Sequence, residues 1–147
     1  MKNYLTTDEA TERFVVIVNN EVESMGRILN AVGHVMAGLV GGVGKAKDYC
    51  FVDYKDADGQ IHPSISHFPV IVLRAKNAAH LAKLRGEAEA RKIAFTDFTS
   101  TMTIGQTIEQ LEATAKTSTA EHDYIALAMF GDTDLLREFT GQLSLFR

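Results

Sequence analysis

The sequence predicts an α/β domain of three layers, in which helices cover both faces of a mixed, mostly parallel sheet with an inserted β-hairpin. Short β-branched apolar runs alternate along the chain with segments of helical period, as in proteins built from βαβ units. The apolar runs lack a polar face, which is typical of strands buried on both sides. With 147 residues, 46% of them hydrophobic and 23% charged, the chain has the size of one soluble domain. We therefore expect residues 1–147 to form a single domain.

The first two predicted elements form a strand–helix unit. "RFVVIVNN", Arg13–Asn20, is an apolar run bounded by polar residues and predicts a buried strand. "MGRILNAVGHVMAGL", residues 25–39, predicts a helix that Ser24 can cap. "GGVGK", Gly41–Lys45, is expected to end this helix, because glycine adopts left-handed conformations at little cost.

The middle of the chain predicts a hairpin and then a second strand–helix unit. "DYCFVDY", Asp48–Tyr54, and the polar segment after it are joined by a good turn pair, Asp58 and Gly59, which indicates an antiparallel hairpin at the sheet edge. "FPVIVLRA", Phe68–Ala75, predicts a second buried strand. A capped amphipathic helix is expected to follow it over Asn77–Ile93.

The last third of the chain predicts a polar loop and three further elements. "AFTDFTSTMT" is rich in threonine and is expected to form a loop past a strand end, followed by a helix over Thr103–Ala115. "YIALAMFG", Tyr124–Gly131, predicts a third buried strand. "DTDLLREFTG", Asp132–Gly141, predicts a short final helix capped by Asp132 or Thr133.

Charge and cysteine content narrow the function classes. The net charge of −4 disfavours nucleic acid as a partner, because a nucleic-acid interface needs clustered lysine and arginine. Cys50 is the single cysteine and has no partner for an internal disulfide, and the polar start "MKNYLTTDEATER" does not resemble a signal peptide. We therefore expect a cytoplasmic protein. No apolar stretch reaches the length of a bilayer span, so no membrane segment is expected.

The helix that begins after Ser24 carries a histidine away from its apolar stripe when residues are placed at about 100° steps. The apolar stripe comprises Ile28, Leu29, Val32, Val35, Met36, Leu39 and Val40. The opposite side comprises Arg27, Asn30, Ala31, His34, Gly38 and Gly41, with Gly33 and Ala37 beside them. A glycine inside a helix costs about 1 kcal/mol relative to alanine, so the glycines suggest that a ligand, a partner helix or an overlying loop approaches this side closely. The alternative is a solvated polar face.

A second group of polar residues surrounds Asp97 in "FTDFTSTMT". The group comprises Asp97 with Thr96, Thr99, Ser100, Thr101 and Thr103. At a strand end, a carboxylate and hydroxyls can position a water molecule or a polar substrate. Alternatively, they are ordinary loop and capping residues. The remaining histidines show no spacing typical of metal ligands, and we expect neither a metal nor a cofactor.

Three stretches of the sequence resemble the archaeal and eukaryotic type of peptidyl-tRNA hydrolase, type II. They are "RFVVIVNNEVESMGRILNAVGHVMAGL", "TDFTSTM" and "YIALAMFGDTDLLREFTGQLSLF". In this register Arg27, Ala31 and His34 take the places of the family's helix lysine, glutamine and histidine. Asp97 and Thr101 match the ends of its Asp-Ala-Gly-Arg-Thr segment. The resemblance covers most of the chain and implies a peptidyl-tRNA hydrolase II-like fold and a homodimer.

Departures from that family pattern bear on activity. Ala31 cannot hydrogen-bond as glutamine does, Arg27 is a poor proton donor, and the Ala-Gly-Arg segment is absent. An acidic chain would also bind a tRNA backbone poorly. We therefore expect no efficient hydrolysis of peptidyl-tRNA. The chain is similar to an uncharacterised branch of this fold superfamily, a domain of unknown function.

Two functions follow from these candidate residues. The first is a small hydrolase or transferase acting on a non-tRNA substrate, with His34, Asp97 and Thr101 as catalytic candidates. Arg27, Asn30 and Thr99 would then bind the substrate. The second is a non-catalytic ligand-binding or regulatory module that uses the same cleft for a small molecule. Both hypotheses require Arg27, Asn30 and His34 to share one cleft with Asp97 and Thr101.

Overall fold

The computed structural model describes residues 1–147 and contains seven strands and four α-helices. The strands are β1 Glu12–Asn19, β2 Phe51–Lys55, β3 Ile61–Ser66, β4 Val70–Ala75, β5 Ala94–Thr99, β6 Tyr124–Asp132 and β7 Ser144–Leu145. The α-helices are α1 Met25–Gly38, α2 Ala78–Ala90, α3 Thr107–Ala115 and α4 Thr133–Thr140. None of the helices combines the length and the apolar character that crossing a membrane requires.

The main sheet is mixed and has the strand order β5-β6-β1-β4-β7. Only β1 and β4 are parallel, and the other three neighbouring pairs are antiparallel. The prediction of a mostly parallel sheet is therefore wrong. The physical reason lies in the connection from β5 to β6. These two strands are antiparallel neighbours in which Thr99 pairs with Tyr124, so α3 lies within a long hairpin connection and does not cross over the sheet.

Helices pack on both faces of the main sheet. Successive residues of β1 point to opposite faces, as the strand geometry requires. Phe14, Val16 and Val18 belong to the core beneath α1. Val15 and Ile17 belong to the core beneath α2 and α4. Both sets are almost completely buried, which agrees with the apolar character of this strand on its two faces.

The segment predicted as a polar loop contains strand β5 at the sheet edge. β5 pairs with β6 along its length, and Asp97 lies opposite Leu127 in the middle of this pairing. The loop prediction is wrong because most residues here are phenylalanine or threonine, and aromatic and β-branched residues favour a strand. Asp97 consequently lies inside a strand and not past the end of one. The helix after it begins at Thr107, four residues later than predicted.

Helix α1 begins as predicted, and every residue of the predicted apolar stripe except Leu29 packs on the core. The Ser24 side chain accepts a hydrogen bond from the Arg27 backbone N–H at 3.3 Å, which confirms the N-cap. Leu29, expected in the core, is 62% exposed, whereas Ala31, expected on the polar side, is completely buried. The small Ala31 side chain lets the helix lie close to the sheet, and the packed face is rotated accordingly.

The glycines of this region have different neighbours from those expected. A Cβ on Gly33 would meet no atom within 4 Å, so nothing approaches the helix at this residue. A Cβ on Gly38 would lie 3.4 Å from Thr96 Cγ2, so the closely packed element there is strand β5. The helix continues into a π-helical turn at Leu39–Val43, and Gly44 has a φ of −75°. The expected left-handed glycine end is therefore wrong.

Several other predicted elements are confirmed. β2 and β3 form a separate antiparallel sheet of two strands. The Asn77 side chain caps α2, and the Asp132 side chain caps α4 by accepting two backbone N–H hydrogen bonds. The short strand β7 at the other sheet edge was not predicted. It pairs antiparallel with β4 and consists of two residues, which is too short for a periodic pattern.

Candidate functional site

A cavity of about 620 Å³ lies between α1 and the segment that follows β5. We name it the Arg27 cavity. It is lined by Ser24, Gly26, Arg27, Asn30, His34, Met102, Thr103 and Gln110. Arg27, Asn30 and His34 recur at about one helical turn, so their side chains lie on the same side of α1. The structure thus brings together three of the predicted site residues, all of them exposed to solvent.

The His34 ring stacks on the ring of Phe98. The two ring centroids are 5.1 Å apart and the rings are inclined by 18°. Phe98 is a buried residue of β5, so it fixes the plane of the imidazole beside the cavity. His34 differs here from His67, whose Nε2 lies 2.9 Å from the Thr7 carbonyl oxygen, and from His62, whose Nε2 lies 3.1 Å from a carboxylate oxygen of Asp56.

Asp97 does not share a cleft with His34. Alternation along β5 directs Thr96 and Phe98 toward α1 and directs Asp97 toward α2. The Thr96 hydroxyl donates to the Val35 carbonyl oxygen at 2.6 Å, whereas Asp97 Oδ2 accepts from Arg85 Nε at 2.8 Å. The predicted common cleft for His34 and Asp97 is therefore wrong, because the sheet separates the two side chains.

The Arg85–Asp97 pair is a half-buried ion pair. The two side chains are 23% and 16% exposed. Burial disfavours the charge on Arg85, but the hydrogen bond and the negative charge of Asp97 outweigh this and raise the pKa of Arg85. The Arg85 guanidinium also lies over the Phe95 ring, 5.0 Å from its centroid. Asp97 therefore holds α2 against the sheet edge.

The predicted Thr99 and Thr101 hydroxyls take part in a chain of hydrogen bonds. The hydroxyl oxygens of Thr99 and Thr101 are 2.8 Å apart, and those of Thr101 and Thr114 are also 2.8 Å apart. Thr114 belongs to α3, so the chain attaches this helix to the end of β5. Neither Thr99 nor Thr101 lines the Arg27 cavity.

Sequence reasoning missed Gln110 and Met102 as residues of this cavity. Gln110 and Thr114 are four residues apart and lie on the same side of α3. Ile108 and Leu111 of the same helix are 65% and 62% exposed. The spacing of Gln110 and Thr114 in the sequence indicated that the polar side of α3 packs toward other polar residues. Met102 lies in a 3₁₀ turn that gives no periodic signal.

Carboxylates lie on the other side of Arg27. A neighbouring cavity of about 490 Å³ shares Ser24 and Arg27 with the first and is lined also by Glu21, Glu23 and Asp123. Arg27 consequently lies between an acidic surface and the uncharged residues of the Arg27 cavity. No group of three or more His, Cys, Asp and Glu side chains in the structure could hold a metal ion.

Comparisons with known proteins place this chain in a family whose function is not known. A solved structure of a protein of unknown function from Agrobacterium tumefaciens strain C58 is similar to this chain, with a TM-score of 0.78 and 18% sequence identity over 93% of this chain and 98% of the other. At this identity the likeness shows the fold alone. No curated protein matches the sequence significantly. The DUF2000 family, described as a protein of unknown function, matches residues 12–147, and the chain therefore belongs to the DUF2000 family.

Proposed function

We propose that the protein is a non-catalytic binding module that holds a small anionic molecule in the Arg27 cavity. One observation carries this proposal. The Arg27 guanidinium lines a cavity with Asn30, His34, Thr103 and Gln110, and it forms no ion pair within 4 Å. Five guanidinium N–H donors without an acceptor favour a bound carboxylate or phosphate group. The volume of about 620 Å³ lies in the range of small-molecule sites.

The position of Asp97 favours binding over catalysis. A histidine that acts as general base is usually oriented by a hydrogen-bonded carboxylate. Asp97 instead forms an ion pair with Arg85 on the other face of the sheet. The Thr101 hydroxyl, the third catalytic candidate, is engaged with Thr99 and Thr114. A small hydrolase or transferase acting on a non-tRNA substrate remains the second candidate, and it is favoured by the accessible ring of His34 beside the cavity.

The relationship to type II peptidyl-tRNA hydrolases is also proposed. Arg27 and His34 take the register positions of that family's lysine and histidine, and both line the same cavity. Ala31 takes the position of its glutamine but is completely buried in the core. The resemblance thus supports a common fold with helices on both sheet faces. The replacement of the glutamine by a buried alanine supports an activity different from that of the hydrolases. We also propose a homodimer in the cytoplasm.

Native mass spectrometry of the purified protein tests binding at the Arg27 cavity. We expect an additional bound mass on the wild-type protein that is lost from Arg27→Gln. Lys83→Gln is the matched control, because it removes an exposed cation from a different helix, α2. A wild-type protein that carries no bound mass, or a set of bound masses that is unchanged in Arg27→Gln, would contradict the proposal.

A hydrolysis assay with an aminoacyl-blocked tRNA distinguishes the two candidate functions from peptidyl-tRNA hydrolysis. We expect no turnover comparable to that of a type II peptidyl-tRNA hydrolase, because Ala31 is buried and Asp97 lies away from His34. Efficient turnover that is abolished in His34→Ala would establish peptidyl-tRNA hydrolysis and contradict both candidate functions.

A further inference from the structure

Apart from Arg147 at the end of the sequence, two arginines have no acceptor for their guanidinium groups. The arginines that do have an acceptor within 4 Å are Arg13 with Thr133, Arg85 with Asp97, Arg91 with Glu87 and Arg137 with Asp134. Arg27 and Arg74 have none, and each lines a different cavity. The absence of an acceptor at Arg74 is therefore independent of the Arg27 cavity.

The cavity at Arg74 lies at the carboxyl ends of the two parallel strands, β1 and β4. Its volume is about 640 Å³, and we name it the Arg74 cavity. In open α/β sheets, ligands bind outside the carboxyl ends of the strands. Three basic side chains line the cavity: Arg74 at the end of β4, Lys76 just after it, and His80 in the first turn of α2.

The hydrogen bonding of His80 determines which ring nitrogen can donate. The Lys76 backbone N–H donates to His80 Nδ1 at 3.2 Å. In the neutral ring the proton is therefore on Nε2, which leaves one N–H donor for another acceptor. With the guanidinium of Arg74 and the ammonium of Lys76, the cavity offers three kinds of N–H donor to one anionic group.

Acidic groups compensate this positive charge only in part. Glu138 is the single carboxylate in the cavity lining, and its Oε2 lies 3.7 Å from Arg91 Nε. The other polar lining residues are uncharged: Asn20, Gln142 and Ser144. α4 ends beside the cavity, where the Gly141 and Leu143 backbone N–H groups donate to the Arg137 and Thr140 carbonyl oxygens. The side-chain oxygens of Asn20, Gln142 and Ser144 therefore supply the acceptors for hydroxyl groups beside the donors for an anion.

We propose that the Arg74 cavity binds a phosphate monoester of a small, hydroxyl-rich molecule. A dianionic phosphoryl group matches the combination of a planar guanidinium and an ammonium better than a single carboxylate does. Only three of the eleven lining residues are apolar, which favours a polyol body over an aromatic one. This site is separate from the Arg27 cavity, with which it shares no residue.

NMR titration of the full chain with ribose 5-phosphate, at constant ionic strength, tests the proposal. We expect saturable shifts of the Arg74, Lys76 and Gln142 amides, and about tenfold or greater weakening in Arg74→Gln/Lys76→Gln, because charge-assisted hydrogen bonds are lost. Both side chains are exposed, so the variant should fold, and its amide spectrum checks this.

Two further titrations identify the source of any binding. Ribose should not bind, and inorganic phosphate should bind more weakly than ribose 5-phosphate while shifting the same amides. Arg27→Gln should bind ribose 5-phosphate as the wild type does, so loss of the Arg27 site and loss of this site are distinguishable. Equal affinity in the double variant, shifts centred on His34, or no saturation up to about 10 mM, a very weak affinity, would overturn the proposal.

Discussion

Gly44 illustrates a glycine that close packing requires. The Tyr49 hydroxyl donates to the Leu39 carbonyl oxygen at 2.9 Å, and the Gly44 backbone N–H donates to the same oxygen at 2.8 Å. A Cβ on Gly44 would lie 1.5 Å from Tyr49 Oη and 2.7 Å from the Leu39 carbonyl oxygen. No side chain fits there unless the tyrosine or the backbone moves.

Gly44→Ala should therefore lower the free energy of unfolding by about 1 to 3 kcal/mol, the usual cost of forcing extra volume into a packed site. Gly33→Ala is the matched control. Gly33 lies inside α1 with no atom near its Cβ position, so the same change should raise stability by up to about 1 kcal/mol through helix propensity. Urea unfolding measures both values, and equal effects at the two positions would contradict the geometry.

Tyr49 should make the stability of the protein sensitive to alkaline pH. Burial, and then the nearby charge of Asp48, raises the pKa of Tyr49 above its ordinary value of 10.0. The folded state thus holds the phenol proton more tightly than the unfolded state. The contribution is fully present below the unfolded pKa and is lost as the pH rises through the folded pKa.

We expect the free energy of unfolding to fall above about pH 10, and to fall less steeply in Tyr49→Phe. At neutral pH that substitution should cost about 0.5 to 1.5 kcal/mol, because the Leu39 carbonyl oxygen loses one of its two donors. Urea unfolding at a series of pH values measures both effects. Identical pH profiles for the two proteins would contradict this assignment.

At the level of elements, most strands and helices were predictable, and their pairing was not. The strands β1, β4 and β6 and the caps of α1, α2 and α4 follow from local patterns that the structure confirms, although β4 is only partly buried. β5 was missed because it contains threonine and an aspartate, and the ion pair that accommodates this aspartate comes from a different element. The direction of β6 depends on the packing of α3 in the connection from β5, and local sequence patterns do not predict that packing.

The candidate site was predictable only where it lies on one element. Helical periodicity brings Arg27, Asn30 and His34 together, and the structure agrees. Asp97 was assigned to the same cleft from its place in the chain, without knowledge of the strand face to which it belongs. A single-residue difference in strand position directs a side chain to the other face of a sheet.

The ion pair between α2 and β5 should contribute measurably to stability. Asp97→Asn should lower the free energy of unfolding by about 1 to 3 kcal/mol, because it leaves the half-buried Arg85 without its charged partner. Asp134→Asn removes a carboxylate that lies 3.8 Å from Arg137 and is 92% exposed, so it should cost less than about 1 kcal/mol. Thermal unfolding of both variants decides the order, and a reversed order would contradict it.

For the whole molecule, the proposed homodimer predicts which surface residues lie at the dimer interface. Ile61 and Ile65 on the hairpin and Leu145 at the C-terminal edge strand are each about half exposed. Phe51 of the hairpin and Phe146 pack against the core beneath α1, whereas Leu145 lies opposite Leu73 of the other core and so points to the other sheet face. Exposed apolar side chains of this kind favour self-association.

Analytical ultracentrifugation should show a species of twice the chain mass of 16.2 kDa. Ile65→Lys and Leu145→Lys should shift it toward the monomer, while Leu111→Lys on α3, at 62% exposure, should not. A monomer alone at micromolar concentration would remove the dimer from the proposal.

The central position of β1 has a consequence for how the chain folds as it is synthesised. β1 ends at Asn19, yet one of its two neighbours in the sheet, β6, spans Tyr124–Asp132 and is synthesised much later. The Thr133 hydroxyl and backbone N–H close the same end by donating to the Ala10 and Thr11 carbonyl oxygens. One edge of β1 therefore stays unpaired until β6 has been synthesised. Long-range pairing of this kind is slow and leaves an unpaired apolar strand edge exposed to aggregation while the chain folds.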